Sequence, residues 1–399
     1  MSRNSDGFVS LITWVSVCGV ALGVMALTVV TNVINGFEGE LSRVIAGVNG
    51  EVLLYTRGEL LPNTQDLRDR VLKADHRIQA ITPSLITELM TSGSIGVAGT
   101  VLEGVDLDRI GEVTSVASRI RKGRLPKVSV NPEALPEVVL GEALAEKIGA
   151  TPGDEVRLIT PLHREKGSRE MSPQAVRAQV VGIVALGMYE YDSKYAYMAL
   201  SEVQKMLGME DEVSTFKMKL KPGSPSRKVA EKLGEQFGYP FRAKDWSALN
   251  RNLLYAIELE KVVIAIILTF ILLVAAFNVL STLMMMIHDK TKEIAILKAM
   301  GFRSVQSFRL FVWMGSGIGL VGTAVGLLAG LGLSELLART QWIKLPPQVY
   351  YIGYLPVTFR WVEIAVIGCL ALLITFLSTL YPAYQVSTRS PMDGIRYES

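Results

Sequence analysis

Histidine and cysteine are scarce in this sequence: three and two respectively among 399 residues. His76, His163 and His288 are scattered, with no metal-ligand spacing. Cys18 and Cys369 both lie inside apolar runs, where a small buried hydrophobe is the ordinary role and a disulfide is not expected. No G-x-x-x-x-G-K-[ST] segment occurs, so the chain has no phosphate-cradling loop of its own. No Ser-His-Asp or Cys-His set stands out, and a membrane protease would have no residue constellation behind it. Charge of either sign is not in excess. From Glu38 to Lys261 there are 30 Lys and Arg against 31 Asp and Glu, so the middle of the chain is neutral and carries no nucleic-acid footprint.

Asp, Glu, Lys, Arg and His are missing altogether from four stretches. Between Lys261 and His288 there are 26 residues without one, and between Arg309 and Glu335, and again between Glu363 and Arg389, there are 25. Gly7 to Phe37 is uncharged as well. About 20 apolar residues in a helix cross the hydrocarbon of a bilayer. The absence of any charge within these runs argues against a proton relay or ion pathway through the chain. The first run is far longer than the apolar core of a signal peptide, and no A-x-A-like site follows it, so it reads as a retained membrane helix.

These runs predict an α-helical membrane protein with four transmembrane helices, one N-terminal and three C-terminal, over 8–36, 262–287, 309–335 and 361–384. A large mixed α/β domain, 37–258, lies between spans one and two. From His288 to Arg309 five basic residues (Lys290, Lys292, Lys298, Arg303, Arg309) face two acidic ones. By the positive-inside rule the 288–306 segment is cytoplasmic, as are both termini, including the 385–399 tail. The insert and the 336–360 loop are then on the far side.

Within the insert, strands are expected at Glu51–Thr56, Ile78–Met90, Ile95–Val105, Glu137–Leu140, Glu155–Thr160, Gln179–Ala185, Tyr195–Leu200 and Thr215–Leu220. Helices are expected at Thr64–Lys73, Glu142–Ile148, Ser201–Leu207 and Pro225–Phe237, with a turn at Pro152-Gly153-Asp154. A long helix from near Asp245 should run straight into span two. Gly19 and Gly23 form a G-x-x-x-G pair, and Gly322, Gly326 and Gly330 build a smooth ridge. That ridge serves either packing within the chain or a seam with a second copy. Pro382 should end or kink span four. The basic run Arg119–Lys127 reads as solvated surface before it reads as a headgroup site. Met284–Met286 reads as plain core or lipid-facing surface.

The cytoplasmic segment is the most specific part of the sequence. Glu293–Met300 is a good short helix closed by Gly301, and Ile294, Leu297 and Met300 give it an apolar strip. That strip could dock in a partner's groove or pack on the chain's own helices; the residues leave both open.

Lys-Glu-Ile-Ala-Ile-Leu-Lys-Ala-Met-Gly at 292–301 resembles the coupling segment of FtsX-like ABC permeases. Trp14–Glu38 resembles the first span of the lipoprotein-releasing (LolC/LolE) branch of that superfamily. So do Glu103-Gly-Val-Asp, Leu345-Pro-Pro-Gln-Val-Tyr-Tyr-Ile-Gly-Tyr-Leu-Pro356 and the tail from Tyr381-Pro-Ala-Tyr to Tyr397. The resemblance covers nearly the whole chain and implies a permease subunit in the bacterial inner membrane. It implies a separate ATPase subunit that binds ATP and Mg, a second permease copy or paralogue, lipoprotein substrates and a periplasmic lipoprotein carrier, all amid membrane lipids. It implies that Glu293, Ile294, Leu297, Met300 and Gly301 couple to the ATPase. It places the acyl anchor between the first span of one copy and the second span of the other, walls marked by Val24, Leu27, Ile267 and Ile271. It divides the insert into membrane-proximal parts, about 45–105 and 213–243, and an inserted subdomain, about 106–212. Thr160–Ala178 sits where the C-type subunit has a carrier-binding hook, with Pro161, Arg164, Arg169, Met171 and Pro173 as its marked residues; the loop is unusually charged for one. The chain also lacks the basic lead-in that the resemblance leads one to expect before span one. A MacB-type efflux permease is the alternative within transport, though those usually carry a fused nucleotide-binding domain. An FtsX-type regulator of cell-wall hydrolases is the non-transporting alternative, normally with a much smaller extracytoplasmic domain.

Overall fold

The computed structural model describes residues 2–58, 60–128, 134–164, 171–343 and 354–388, with backbone alone for 2–11, 161–164 and 171–173. In chain order, helix α1 (Ser2–Asn49) is followed by β1 (Val52–Thr56), β2 (Leu61–Pro62), α2 (Gln65–Ala74), β3 (Ile78–Ser92), β4 (Val97–Val105), α3 (Ile110–Val113), β5 (Ile120–Gly123) and β6 (Glu137–Gly141). Then come α4 (Glu142–Ile148), β7 (Glu155–Arg164), β8 (Met171–Val184), α5 (Tyr189–Asp192), β9 (Tyr195–Ala199), α6 (Leu200–Leu207), β10 (Glu212–Val213), β11 (Thr215–Leu220), α7 (Ser226–Phe237) and β12 (Phe241–Asp245). Helices α8 (Trp246–Leu249), α9 (Arg251–Asp289), α10 (Thr291–Ala299), α11 (Ser304–Thr340) and α12 (Trp361–Thr388) complete the chain. The described residues divide into two compact units, one of helices up to Gly39 and from Tyr255 on, the other spanning 40–254.

In the helical unit α1, α9, α11 and α12 are each long and apolar enough to cross a membrane. Small residues decide how they meet. A Cβ on Gly326 would come within 2.6 Å of the Ala21 carbonyl oxygen, and one on Gly330 within 2.8 Å of Thr28 Cβ. Gly322 is as close to Val20. The ridge is therefore the seat of α1 within this chain, which resolves the choice left open by the sequence. Gly315 and Gly319 take up Thr379 and Thr375 of α12, while Gly19 and Gly23 face Asn278 and Leu272 of α9. The Ser16 and Thr282 hydroxyls meet at 2.5 Å, tying α1 to α9 by a polar pair in an apolar setting. Helix α12 does not stop at Pro382 but runs past it to Thr388.

Helix α1 outruns its expected end at residue 36. After Phe37 the sequence turns charged, yet Leu41, Val44, Ile45 and Val48 keep an apolar stripe at three- and four-residue spacing. That stripe enters a core with Val105, Ile110, Val139, Val184 and Tyr197 in the 40–254 unit. The expected single helix from Asp245 is interrupted instead. Asp245 caps α8 by accepting from the Ala248 N–H at 3.2 Å, and Asn250 leaves helical geometry before α9 begins.

The strands of the 40–254 unit form one sheet in the order β12-β1-β11-β3-β4-β9-β6-β8-β5. Its 15-residue strand β3 is shared: residues 78–84 pair with β11, and 84–92 pair with β4 on the other edge. Its last residues, Met90–Ser92, pair with β7, which also pairs with β8. The path β3-β4-β9-β6-β8-β7 thus closes on itself as a six-membered ring of strands. Closure removes free edges from strands that would otherwise offer them. The β10–β2 pair stands apart.

Two charges are buried at the end of α1. Lys217 Nζ donates to the Val48 carbonyl at 3.0 Å and pairs with Glu103 at 2.5 Å. Ser84 Oγ donates to the same carboxylate at 2.7 Å. A cation at the C-terminal carbonyls of a helix is favoured by the helix dipole, so Lys217 serves as the cap of α1.

Candidate functional site

The segment between α9 and α11 is built to be stiff. Gly301 takes a left-handed φ of +104°, letting the Phe302 N–H reach back to the Leu297 carbonyl at 3.0 Å. Lys298 Nζ donates to the Val386 and Ser387 carbonyls, at 2.8 and 3.2 Å, so α10 is bonded to the end of α12. Burial holds the Lys298 ammonium below its ordinary pKa. Glu293 pairs with Lys290 at 2.7 Å. This rigid mount displays Leu297, 45% exposed, and Met300, 81% exposed. Ile294 is not part of that display. It packs inward with Ile287, Phe311, Ala383 and Val386, because a short helix joining two packed spans must turn one side to them. Ile296 takes its place on the exposed side, with Val305 of α11 also outward. The sequence strip of every third residue missed Ile296; a 100° step places it beside Met300.

The four residues marked for an acyl path, expected on the first span of one copy and the second span of another, take two different settings within this chain. Val24, 0% exposed, and Leu27 lie in the core of the helical unit with Leu272, Val279 and Ile318. Val24 is held there by the close approach of Gly326. Ile267 and Ile271 face outward. The outward residues of α1 are instead Trp14, Val15 and Leu22.

At its two described ends the 160–178 segment is strand. Thr160 to Arg164 and Met171 to Ala178 belong to the paired strands β7 and β8, with a register shift between Thr160 and His163 that accommodates Pro161. Pro173 is likewise within β8. Arg169 lies outside the described residues, and for Pro161, Arg164, Met171 and Pro173 only the backbone is described.

One constellation in the helical unit was not anticipated. Glu38, Lys261 and Glu363 are the charged residues that bound three of the uncharged runs at their ends away from α10. They meet in space. Lys261 Nζ lies 3.0 Å from Glu363, 3.7 Å from Glu38 and 2.7 Å from Asn35 Oδ1. Asn35 Nδ2 donates to the other Glu363 oxygen at 2.5 Å. Arg360 reaches Glu38 at 3.2 Å and Glu363 at 3.4 Å. The Thr358 N–H bonds to the Asn32 carbonyl at 3.0 Å, and Gly36 lets the Pro356–Val357 backbone lie against α1. Glu335, the corresponding charge of α11, pairs within its own helix with Arg339. Among the described residues no cluster of His, Cys, Asp and Glu is arranged to hold a metal ion.

The MacB-like periplasmic core domain family matches residues 13–236, and the FtsX-like permease C-terminal family matches 265–391. The lipoprotein-releasing system transmembrane protein LolC of Neisseria meningitidis serogroup B is 30% identical, over all of this chain and 97% of that relative. The protein LolE of the same system in Haemophilus influenzae is 26% identical, over 98% of this chain and 95% of that one. The crystal structure of the periplasmic region of MacB from Actinobacillus actinomycetemcomitans overlaps 52% of this chain and 95% of its own, at 15% identity and a TM-score of 0.34, too low to carry a conclusion.

Proposed function

The chain belongs to the LolC/LolE family of lipoprotein-releasing permeases, and from that premise we propose that it is the transmembrane subunit of an ABC transporter that lifts mature lipoproteins from the inner membrane. A separate ATPase subunit binds ATP and Mg and docks on α10. Its strokes reach the periplasmic domain, 40–254, which passes the lipoprotein to a soluble carrier. The β7–β8 hairpin is the handover surface in this reading. The observation that carries the proposal is α10: an apolar patch of Ile296, Leu297 and Met300, exposed on a helix bonded at Lys298 to its own spans. An exposed apolar patch on a rigid mount is a docking surface in search of a groove.

The test is co-purification. The parental chain should bring down the ATPase subunit, and Leu297→Asp should lose it, with affinity falling roughly tenfold or more because a charge enters an apolar groove. Undiminished ATPase recruitment by Leu297→Asp would remove the docking reading. Orientation follows from the same reading. A single cysteine at Ser304 should react with an impermeant thiol reagent only after the membrane is opened, and reaction in intact cells would invert the map.

A further inference from the structure

The charges that bound the apolar runs leave a question about α9. Its apolar grip on the helical unit begins late, at Ile264 and Leu268, and continues through Leu272, Ala275, Val279 and Leu283. From Tyr255 to Ile267 no residue of α9 is buried, and Tyr255, Leu259, Val262, Val263, Ile266 and Ile267 all face outward. What holds this stretch is Lys261, through Glu38, Asn35 and Glu363. On the other side α1 is seated on α11 by close glycine packing without any charge. The joint of α1 with α11 is therefore steric, and that with α9, packed farther along, is ionic at Lys261.

We propose that Lys261 is the pin of an ion-pair clasp that fastens residues 255–267 of α9 to α1 and α12, and that the clasp opens during the working cycle to free this stretch of α9 while the rest of the helical unit stays packed. The side chains of the clasp are about a third exposed, from 28% to 40%. Partly hydrated ion pairs of this kind are individually weak, so they release at small cost. When Lys261 leaves, Arg360 still bridges Glu38 and Glu363. Under the transport reading above, on which this clause rests, freeing α9 opens a lateral gap for an acyl anchor at the end remote from α10.

The experiment measures the distance between spin labels at Leu259→Cys on α9 and Val366→Cys on α12, both exposed positions. It uses the full chain with Cys18 and Cys369 replaced by serine, in nanodiscs of phosphatidylethanolamine and phosphatidylglycerol. Without nucleotide the parental clasp should give a narrow distribution, Lys261→Arg should keep it, and Lys261→Met should broaden it and shift it to longer distances. With the ATPase bound, ATP turnover should move the parental distribution toward that of Lys261→Met. Identical distributions for the parent and Lys261→Met overturn the clasp, and so does a parental distribution unchanged in every nucleotide state. The nucleotide arm needs no variant and stands even where Lys261→Met fails to insert. The Lys261→Met arm needs neither ATPase nor lipoprotein, so its failure is distinct from failure of the transport reading, which lipoprotein release by the parental complex checks separately.

Discussion

Single residues separate docking from packing within α10. Ile294 and Leu297 are one helical turn apart and alike in chemistry, yet Ile294 packs against the chain's own spans and Leu297 stands 45% exposed. Ile294→Asp should therefore lower the unfolding temperature of the permease itself, because it puts an unpaired charge against Phe311 and Val386. Leu297→Asp should leave that temperature where it was and act on the ATPase alone. Equal losses of stability in both variants would contradict the division. A second residue carries a pH signature. Asp192 is buried and accepts N–H bonds from Leu186, at 2.7 Å, and Gly187, at 3.3 Å. Burial is the larger effect and pushes its carboxyl up to about 6. The folded state then holds this proton more tightly than the unfolded chain, whose Asp titrates near 4. Stability contributed by the protonated group is present in full below pH of about 4, is lost as the pH rises through about 6, and stays lost above. Asp192→Asn removes the charge and keeps one acceptor oxygen, enough for the shorter bond from Leu186. Its thermal unfolding profile should lose this slope. A slope as steep as the parent's would show that Asp192 is not its source.

At the scale of elements, glycine spacing was the strongest legible signal and its partner was the illegible part. The 322, 326 and 330 spacing marks a ridge, but only contact shows that Ala21, Val24 and Thr28 of the same chain fill it. Gly326→Leu should drive α1 off α11, at a cost of about 1–3 kcal/mol or more from overpacking. Gly332→Leu, two residues beyond the ridge and with nothing within 4 Å of a Cβ, should be tolerated. Thermal unfolding in detergent distinguishes them, and equal tolerance at both positions would contradict the intrachain seam. Many strands and helices of the insert were read from alternation within a residue or two, as with Thr215–Leu220, but β7 ends four residues later and β8 begins eight residues earlier than expected, and β2, β5, β10 and β12 were not read. Nor was the strand ring, because pairing of β3 with β7 joins residues far apart in sequence and no local pattern announces it. Pro161 and Pro173 spoke for a loop where the register shift lets strands continue. The charges at Glu38, Lys261 and Glu363 were read as the limits of spans; that they are partners depends on how three helices come together.

For the molecule as a whole, the sequence already divided the chain into spans and a neutral insert, and the structure divides it likewise into a helical unit and the 40–254 unit. Within the 40–254 unit the end of α1 is capped at the Val48 carbonyl by the buried Lys217, itself paired with Glu103. In the proposed function, ATP hydrolysed by a partner docked on α10 drives lipoprotein out of the bilayer. The most direct measurement reconstitutes the chain with its ATPase and a radiolabelled lipoprotein in proteoliposomes, adds ATP and the soluble carrier, and counts lipoprotein in the supernatant. The account predicts ATP-dependent release by the parental complex and release at the level without ATP for Leu297→Asp. Lipoprotein that stays in the liposomes of a parental complex actively hydrolysing ATP would contradict it.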